Sequence, residues 1–274
     1  MRHGIVILPE LRWSQAAGYW QRAEAYGFDH AWTYDHLGWR DLVDGPWFDA
    51  VPTLTAAATV TARVRLGTLV ASANFRHPVA FAREIVTLDD VSGGRLLLGL
   101  GAGGTGFDAD VLGQAKLTGG ERIDRFVEFV ELLQRLLREG RADFRGEWYS
   151  AVDARATPGS QAPFVIAGNA PRSIGLAARL GDGWITTGER TDDVDTWWRS
   201  IADRCVRLEE ALDGRVIDRY LLLDSGPGEP LASHDAYAEF CGRAAALGFT
   251  DVISHWPRRD GWFAGDESVL DGLL

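Results

Sequence analysis

The sequence has few of the residues that build common metal and disulfide sites. Only two of its 274 residues are cysteines, Cys205 and Cys241, and they lie too far apart in the chain for a zinc motif or a disulfide framework. None of the six histidines occurs in an H-x-H or H-x-x-x-H pair, which would place two ligands on one metal ion. We therefore expect neither a metal site nor a scaffold held by disulfides.

Positive charge and long apolar runs are also scarce. The chain carries 28 basic against 39 acidic residues, a net charge of −11, and Lys116 is its single lysine. No cluster of basic residues indicates a nucleic-acid partner. The N-terminal apolar run Ile5–Leu8 is too short for the core of a signal peptide, and no segment is long enough to span a membrane. These features predict a soluble, cytoplasmic protein without nucleic-acid or membrane partners.

What the chain does contain is a recurring order of strand, loop and helix. Short apolar runs, typical of strands buried on both faces, alternate with longer segments of helical periodicity. The predicted strands are Gly4–Leu8, His30–Tyr34, Arg65–Val70, Arg95–Leu100, Phe164–Ala167, Gly183–Thr187, Arg219–Leu223 and Asp251–Ser254.

Eight such units in one chain favour a (β/α)8 barrel, an α/β fold, forming a single domain over residues 1–274. The segment Asp143–Tyr149 interrupts the rhythm and is predicted to form a small hairpin inserted before the fifth strand. A doubly wound Rossmann fold is the alternative. It is disfavoured because the glycines of Gly99–Gly104 lack the fingerprint spacing, and no acidic residue follows at the required distance.

The turn after the fifth strand is a candidate phosphate site. Pro171 suits the first position of a helix, whose opening amides lack partners within the helix and attract anions. An ordinary turn capped by Asn169 is the alternative interpretation. The candidate residues are Gly168, Asn169, Ala170, Pro171, Arg172 and Ser173.

Other residues at predicted strand ends indicate a flat ligand. Gly101 and Gly103 lack side chains and would let a planar group approach the backbone closely. Asp108 and Asp110 follow in the same loop and are expected to be solvated. A planar ring together with a phosphate predicts a flavin-like cofactor. Tryptophans in the loops at this end of the barrel are candidates to face such a ring, namely Trp39, Trp47, Trp256 and Trp262.

A series of short motifs follows the same order along the chain. Each one is common alone, and their order and spacing give them specificity. They are Tyr34-Asp35-His36, Leu66-Gly67-Thr68, Phe75-Arg76-His77-Pro78, Thr87-Leu88-Asp89, Ser92-Gly93-Gly94-Arg95, Gly99-Leu100-Gly101-Ala102-Gly103, Glu121-Arg122, Ala178-Arg179 and Asp182-Gly183-Trp184.

Through these motifs the chain resembles the luciferase-like flavin- and deazaflavin-dependent oxidoreductases, from its first strand to its sixth. The resemblance implies a (β/α)8 barrel with the cofactor ring at its mouth. Asp35 and His36 would lie near the reactive face of the ring, with the histidine moving a proton. Leu69, Val70 and Ser72 would contact the ring across a non-proline cis peptide. The remaining expected contacts are Gly101, Ala102 and Gly103 for the ribityl chain or ring edge, and Gly168 to Ser173 for the phosphate.

Two cofactors fit the resemblance. Coenzyme F420 would make the chain a hydride-transfer oxidoreductase. FMN, with a separate flavin or F420 reductase as partner, would make it a monooxygenase.

The expected substrate is a small alcohol, carbonyl or alkene. Sugar phosphates are disfavoured, because the sugar-phosphate members have a glutamate where this chain has Gly104-Thr105-Gly106. Two further possibilities are a barrel that binds a ligand without turnover and a homodimer formed through Ala56–Ala62 or Phe81–Leu88.

Overall fold

A computed structural model describes all residues from 1 to 274. Eight parallel strands close into a barrel, because the first long strand pairs with both the second and the last, and no edge is left open. All strands of the chain are β1 (Arg2–Val6), β2 (His30–Thr33), β3 (Arg65–Thr68), β4 (Ala71–Ser72), β5 (Leu96–Gly101), β6 (Arg141–Arg145), β7 (Ser150–Arg155), β8 (Phe164–Ala167), β9 (Gly183–Thr186), β10 (Asp218–Leu222) and β11 (Asp251–His255). Three of these eleven are not counted among the eight: β4 is a short piece that pairs with β5 beyond the end of β3, and β6 and β7 form a separate hairpin.

Helices surround this barrel and bury their apolar faces against it. α5 shows how the sequence fixes such a helix: Thr118 and Glu121 form a capping box at its start, and Gly140 ends it in a left-handed conformation. The helices are α1 (Trp13–Ala25), α2 (Ala50–Val60), α3 (Pro78–Ser92), α4 (Phe107–Asp110), α5 (Gly119–Glu139), α6 (Pro171–Leu180), α7 (Val194–Leu212) and α8 (His234–Ala246).

The side chains of the strands alternate between two apolar clusters. The larger cluster of 56 buried residues lies between strands and helices. The smaller cluster of 11 buried residues includes Trp32, Val165 and Tyr220, and we assign it to the barrel interior. The interior is thus a packed core, and a ligand has access only at its ends.

The N-terminal end of the barrel is closed by a buried polar network. Asp251 accepts bonds of 2.8 and 2.7 Å from Arg2 and one of 3.0 Å from His30. The other ring nitrogen of His30 accepts a 2.6 Å bond from Trp32 Nε1. Since that nitrogen must be unprotonated, His30 donates to Asp251 through Nε2 as a neutral ring. Polar groups at this end of a barrel serve stability.

The predicted barrel is confirmed, with adjustments at strand ends. The third strand stops at Thr68 instead of continuing to Val70, and the Leu69–Val70 peptide is cis. The inserted hairpin is β6 and β7, which are longer than predicted, and Glu128 of α5 accepts bonds from three backbone amides of its turn. No helix of the protein is sufficiently long and apolar to cross a lipid bilayer.

One of the two faces predicted for dimer formation presents polar side chains to solvent, since its exposed residues are Arg83, Glu84 and Thr87. The apolar side chains within 81–88 are buried in the chain's own core, at 1% exposure or less for Phe81, Ile85 and Leu88. They pack inward because α3 lies between α2 and α5 on the barrel wall.

Candidate active site

His36 lies directly beyond the C-terminal end of β2 and is held by a buried carboxylate. Its Nδ1 donates a 2.5 Å hydrogen bond to Asp108 Oδ2, and the amide of Leu37 donates a 2.8 Å bond to the other oxygen of Asp108. A carboxylate only accepts, so Nδ1 carries the proton and Nε2 makes no hydrogen bond. Asp108 is 5% exposed, which corrects the expectation that it is a solvated loop carboxylate.

Asp110 behaves as predicted for a solvated carboxylate. It is exposed and pairs with Lys116 at 2.8 Å. The two acids differ because Asp108 faces the β2 loop and binds His36 and the Leu37 amide, whereas Asp110, at the end of this one-turn helix, faces solvent.

Asp35 is buried and accepts hydrogen bonds from Arg76 and Ser72. Its two oxygens accept 2.7 Å bonds from Nε and Nη2 of Arg76, and the amide of Ser72 donates a third bond of 3.2 Å. Burial alone would lower the pKa of Arg76, but the hydrogen bonds and negative charge of Asp35 raise it above its ordinary value. Because Asp35 is buried, binds Arg76 through both oxygens and does not line the cavity beside His36, this geometry fits a positioning role better than proton transfer.

A cavity of about 410 Å³ opens beside His36. It lies at the C-terminal mouth, where barrel enzymes carry their chemistry. His36 and Asp108 provide one wall, and the rest comes from the loops after β2, β4 and β5. The other lining residues are Gly38, Trp39, Arg40, Asn74, Gly104, Gly106 and Phe107.

The end of β5 lies between the predicted ring contacts at Leu69–Ser72 and the end of β8, which leads into the predicted phosphate turn. A Cβ atom built on Gly101 would lie 2.5 Å from Cγ2 of Val70 and 4.0 Å from Cβ of Ala167. The end of β8, which precedes the candidate phosphate turn, is therefore adjacent to the predicted ring contacts. Gly103 has a φ of +75°, and a side chain there would collide with the amide of Asn74 at 2.3 Å. Packing within the protein thus explains both glycines.

The candidate phosphate turn begins α6 as predicted, but Asn169 does not cap the helix. Its side chain is bound by Thr186 and Thr187 of the next strand and loop, at 2.6 and 2.8 Å. The hydroxyl of Ser173 instead accepts a bond from the amide of Ala170 and donates one to its carbonyl. Residues 169–172, including Pro171, are exposed. Arg172 forms an ion pair with Asp124 of α5. The start of the helix is open to solvent, and its first amides lack partners within the helix.

A second buried network lies on the opposite side of His36. The hydroxyl of Tyr34 lies 2.7 Å from Nε2 of His255, whose Nδ1 lies 2.8 Å from Asp224. Burial and the charge of Asp224 raise the pKa of Tyr34 well above its ordinary value, so the phenol stays neutral and donates to His255. The ring of Phe263 stacks on that of His255, with centroids 3.5 Å apart. The segment near the C-terminus is thereby held over the mouth.

The predicted tryptophans separate into two groups. Trp39 and Trp262 meet at the mouth, with centroids 5.9 Å apart, and Trp47 donates a 2.8 Å bond to the carbonyl of His36. Trp256 was placed wrongly. It is buried against Tyr19 of α1, because it follows His255 by one residue and alternation turns it outward.

Sequence reasoning missed several residues of the site. Arg76 belongs to a quoted motif but had no role assigned. Asn74, which links Gly104 to Arg125 of α5 by bonds of 3.1 and 2.6 Å, also had none. Asp224 and His255 directly follow the predicted strands Arg219–Leu223 and Asp251–Ser254, and no role was predicted for them. No group of three His, Cys, Asp or Glu side chains is arranged to hold a metal ion.

Comparison with known proteins finds a matching family model and several curated relatives. The model of the family described as luciferase-like monooxygenase matches residues 1–211. The chain is 38% identical over 178 residues to an F420-dependent glucose-6-phosphate dehydrogenase of Beutenbergia cavernae, covering 64% of this chain and 52% of the relative. It is 32% identical to the enzyme of the same description from Kineococcus radiotolerans, covering 77% and 64%. The chain therefore spans between half and two thirds of the length of these curated relatives.

Solved structures agree on the fold. The F420-dependent tetrahydromethanopterin reductase of Methanopyrus kandleri superposes with a TM-score of 0.79 at 18% identity, covering 99% of this chain and 96% of that one. A monooxygenase from Streptomyces bottropensis gives 0.68 at 24%, covering 90% and 79%. The family model matches residues 1–211, and the closed barrel and its order of elements are consistent with that match. The chain therefore belongs to the luciferase-like monooxygenase family.

Proposed function

We propose that this protein transfers a hydride between coenzyme F420 and a small organic substrate bearing an alcohol or carbonyl group, at the C-terminal mouth of the barrel. The single observation that carries the proposal is the pair formed by His36 and Asp108, which leaves Nε2 of the histidine without a partner beside a cavity. Several relatives are described as F420-dependent dehydrogenases and reductases, which supports the choice of cofactor.

The mouth offers features that fit such a cofactor. The absence of a side chain at Gly101 brings Val70 close to the end of β5, and Val70 and Ala167 offer small apolar side chains on which a flat ring could lie. The exposed start of α6 presents backbone amides that suit a phosphate. In this assignment Leu69, Val70 and Ser72 face the ring, Gly101 to Gly103 face the adjoining chain, and Gly168 to Ser173 hold the phosphate. F420, when bound, would supply the hydride chemistry.

His36 would manage the accompanying proton. As a neutral ring protonated at Nδ1, it can accept the hydroxyl proton of an alcohol at Nε2. Asp108 keeps the ring in that tautomer and stabilises the positive charge that develops on it. In the opposite direction the protonated ring returns the proton to a carbonyl oxygen. Asp35 would act indirectly, by fixing the Ser72 amide and Arg76 behind the ring.

The test is equilibrium binding followed by turnover. F420 titrated into the protein should bind with quenching of its fluorescence at micromolar concentrations. His36→Asn should keep the binding constant within about threefold while it abolishes F420 reduction by alcohols. Asp110→Asn is the matched control and should leave both unchanged. Tight binding of FMN without F420 binding would instead favour an oxygen-dependent reaction, and binding of neither would reject the proposal.

A further inference from the structure

We infer that the cavity beside His36 receives its substrate through a carboxylate group, and that Arg40 binds that carboxylate. The inference rests on the proposed function, because it names a substrate class for the same site. Arg40 lines this cavity together with His36 and Asp108.

Unlike Arg76 and Arg258 at the same end of the barrel, Arg40 has no anionic partner. Arg76 binds Asp35 in a bidentate pair, and Arg258 binds Glu10 in the same way, at 2.6 and 2.7 Å. The guanidinium of Arg40 makes no hydrogen bond or ion pair. It contacts only two aromatic rings, lying 3.7 Å from the centroid of Trp262 and 4.6 Å from that of Trp39.

These aromatic contacts orient the guanidinium without using its hydrogen-bonding groups. A cation–π contact is an electrostatic attraction to the ring and leaves the five N–H donors of the guanidinium available for hydrogen bonds. The position of Trp262 is itself fixed, because its Nε1 donates a 2.8 Å bond to Asp41. The in-plane fork of Arg40 is therefore held ready for an acceptor of matching shape, such as a carboxylate.

Backbone conformation gives a second, independent sign of a site. Arg40 has a φ of +52° and Phe263 a φ of +61°, in the left-handed region that non-glycine residues rarely adopt. The two residues come from opposite ends of the chain and meet in one aromatic group: Phe263 stacks on Trp39 at 5.9 Å. Such conformations are found where function requires a side chain to be directed to a given place.

The arrangement also separates this cation from the candidate cofactor phosphate. Arg40 follows β2, whereas the turn at Gly168–Ser173 follows β8, and β3 and β5 lie between them in the barrel. A cofactor whose phosphate lies near α6 and whose ring lies over Val70 would leave the β2 side of the mouth for the substrate. A carboxylate on Arg40 then places the rest of the molecule beside His36.

Charge favours a monoanion over a phosphate ester. Arg40 is the only lysine or arginine that lines the cavity, and Asp108 lines the same cavity. Asp41 and Asp44 follow in the same loop, and the chain carries a net charge of −11. One guanidinium balances one negative charge. A dianion would need additional cations, and no other lysine or arginine lines this cavity.

The experiment uses benzoate, benzamide and phenyl phosphate as probes, with tryptophan fluorescence as readout because Trp39 and Trp262 contact Arg40. Benzoate should give a saturable change at millimolar concentrations, and neutral benzamide should bind at least tenfold more weakly. Arg40→Gln should weaken benzoate at least tenfold, and Arg40→Lys should weaken it less. Arg259→Gln removes another exposed, unpaired arginine outside this cavity and should have no effect.

Three results would overturn the inference: no saturable response to benzoate up to roughly 50 mM, equal binding of benzamide, or tighter binding of phenyl phosphate. A fourth is loss of F420 affinity in Arg40→Gln, which would assign the arginine to the cofactor. The outcome is separable from that of the proposed function. Arg40-dependent benzoate binding by a protein that never binds F420 supports the carboxylate site and rejects the deazaflavin reaction.

Discussion

Asp108 accepts a 2.5 Å hydrogen bond from Nδ1 of His36, a residue 72 positions earlier in the chain. The contact joins the loop after β2 to the first turn of α4. It fixes which ring nitrogen of His36 is available to a substrate, and so it connects the fold directly to the proposed proton transfer.

Asp108→Asn is expected to lower kcat by about 100-fold with little change in F420 affinity, because the amide can no longer stabilise a protonated His36. Stopped-flow reduction of F420 and a fluorescence titration measure the two quantities. Asp110→Asn, which changes an exposed acid of the same helix, should retain full activity. An Asp108→Asn enzyme with normal kcat would show that the pair serves only to fold the loop.

Much of the barrel and part of this site follow from local sequence. Buried apolar runs such as Phe164–Ala167 identify strands, and Pro171 marks the start of α6. Asp35 and His36 lie at the mouth because they follow a strand, which needs no tertiary information. Their different environments could not be read locally, since alternation sends Asp35 toward Arg76 and His36 toward the cavity.

The role of Asp108 had no local signal. In the sequence it stands in a glycine-rich stretch without helical or strand periodicity. Its burial depends on the β2 loop, which is distant in the chain and closes over it in the fold. The same limit applies to His255 and Phe263, whose stacking joins β11 to a segment without regular structure. Contacts of this kind form only when the barrel closes, so spacing along the chain does not report them.

Asp35→Asn should destabilise the protein by about 3 kcal/mol, because it removes one member of a buried ion pair and leaves the Arg76 charge poorly compensated. The side chains of Asp35 and Arg76 are only 2% and 7% exposed. Urea denaturation measures the change. Glu84→Gln removes a more exposed partner of the same arginine and should cost less than about 1 kcal/mol. Equal effects of the two substitutions would contradict the assignment.

Acid should weaken the fold through Asp251 at the base of the barrel. Burial alone would raise its pKa, but hydrogen bonds from His30, Arg2 and Thr250 outweigh burial and lower the pKa below its ordinary value. A lowered folded-state pKa gives stability that is fully present above the unfolded value of about 3.9 and is lost as the pH falls through the folded value.

The urea midpoint of the wild-type protein should therefore fall steeply as the pH is lowered below about 4. Asp251→Asn should be less stable at neutral pH and should show a shallower decline over that range. Asp90→Asn replaces an exposed carboxylate that forms no ion pair, and its curve should parallel that of the wild type. Parallel curves for Asp251→Asn as well would place the acid sensitivity elsewhere.

Gly101→Ala tests the packing at the mouth. The new methyl group would lie 2.5 Å from Cγ2 of Val70, so one of the two segments must shift, at a cost of about 1–3 kcal/mol. Val70→Ala removes the obstructing atom, and the double variant should recover at least about 1 kcal/mol relative to the sum of the single changes. Gly106→Ala is the control, because a Cβ there meets no atom within 4 Å. Additive losses in the double variant would mean that Gly101 is needed for some reason other than its contact with Val70.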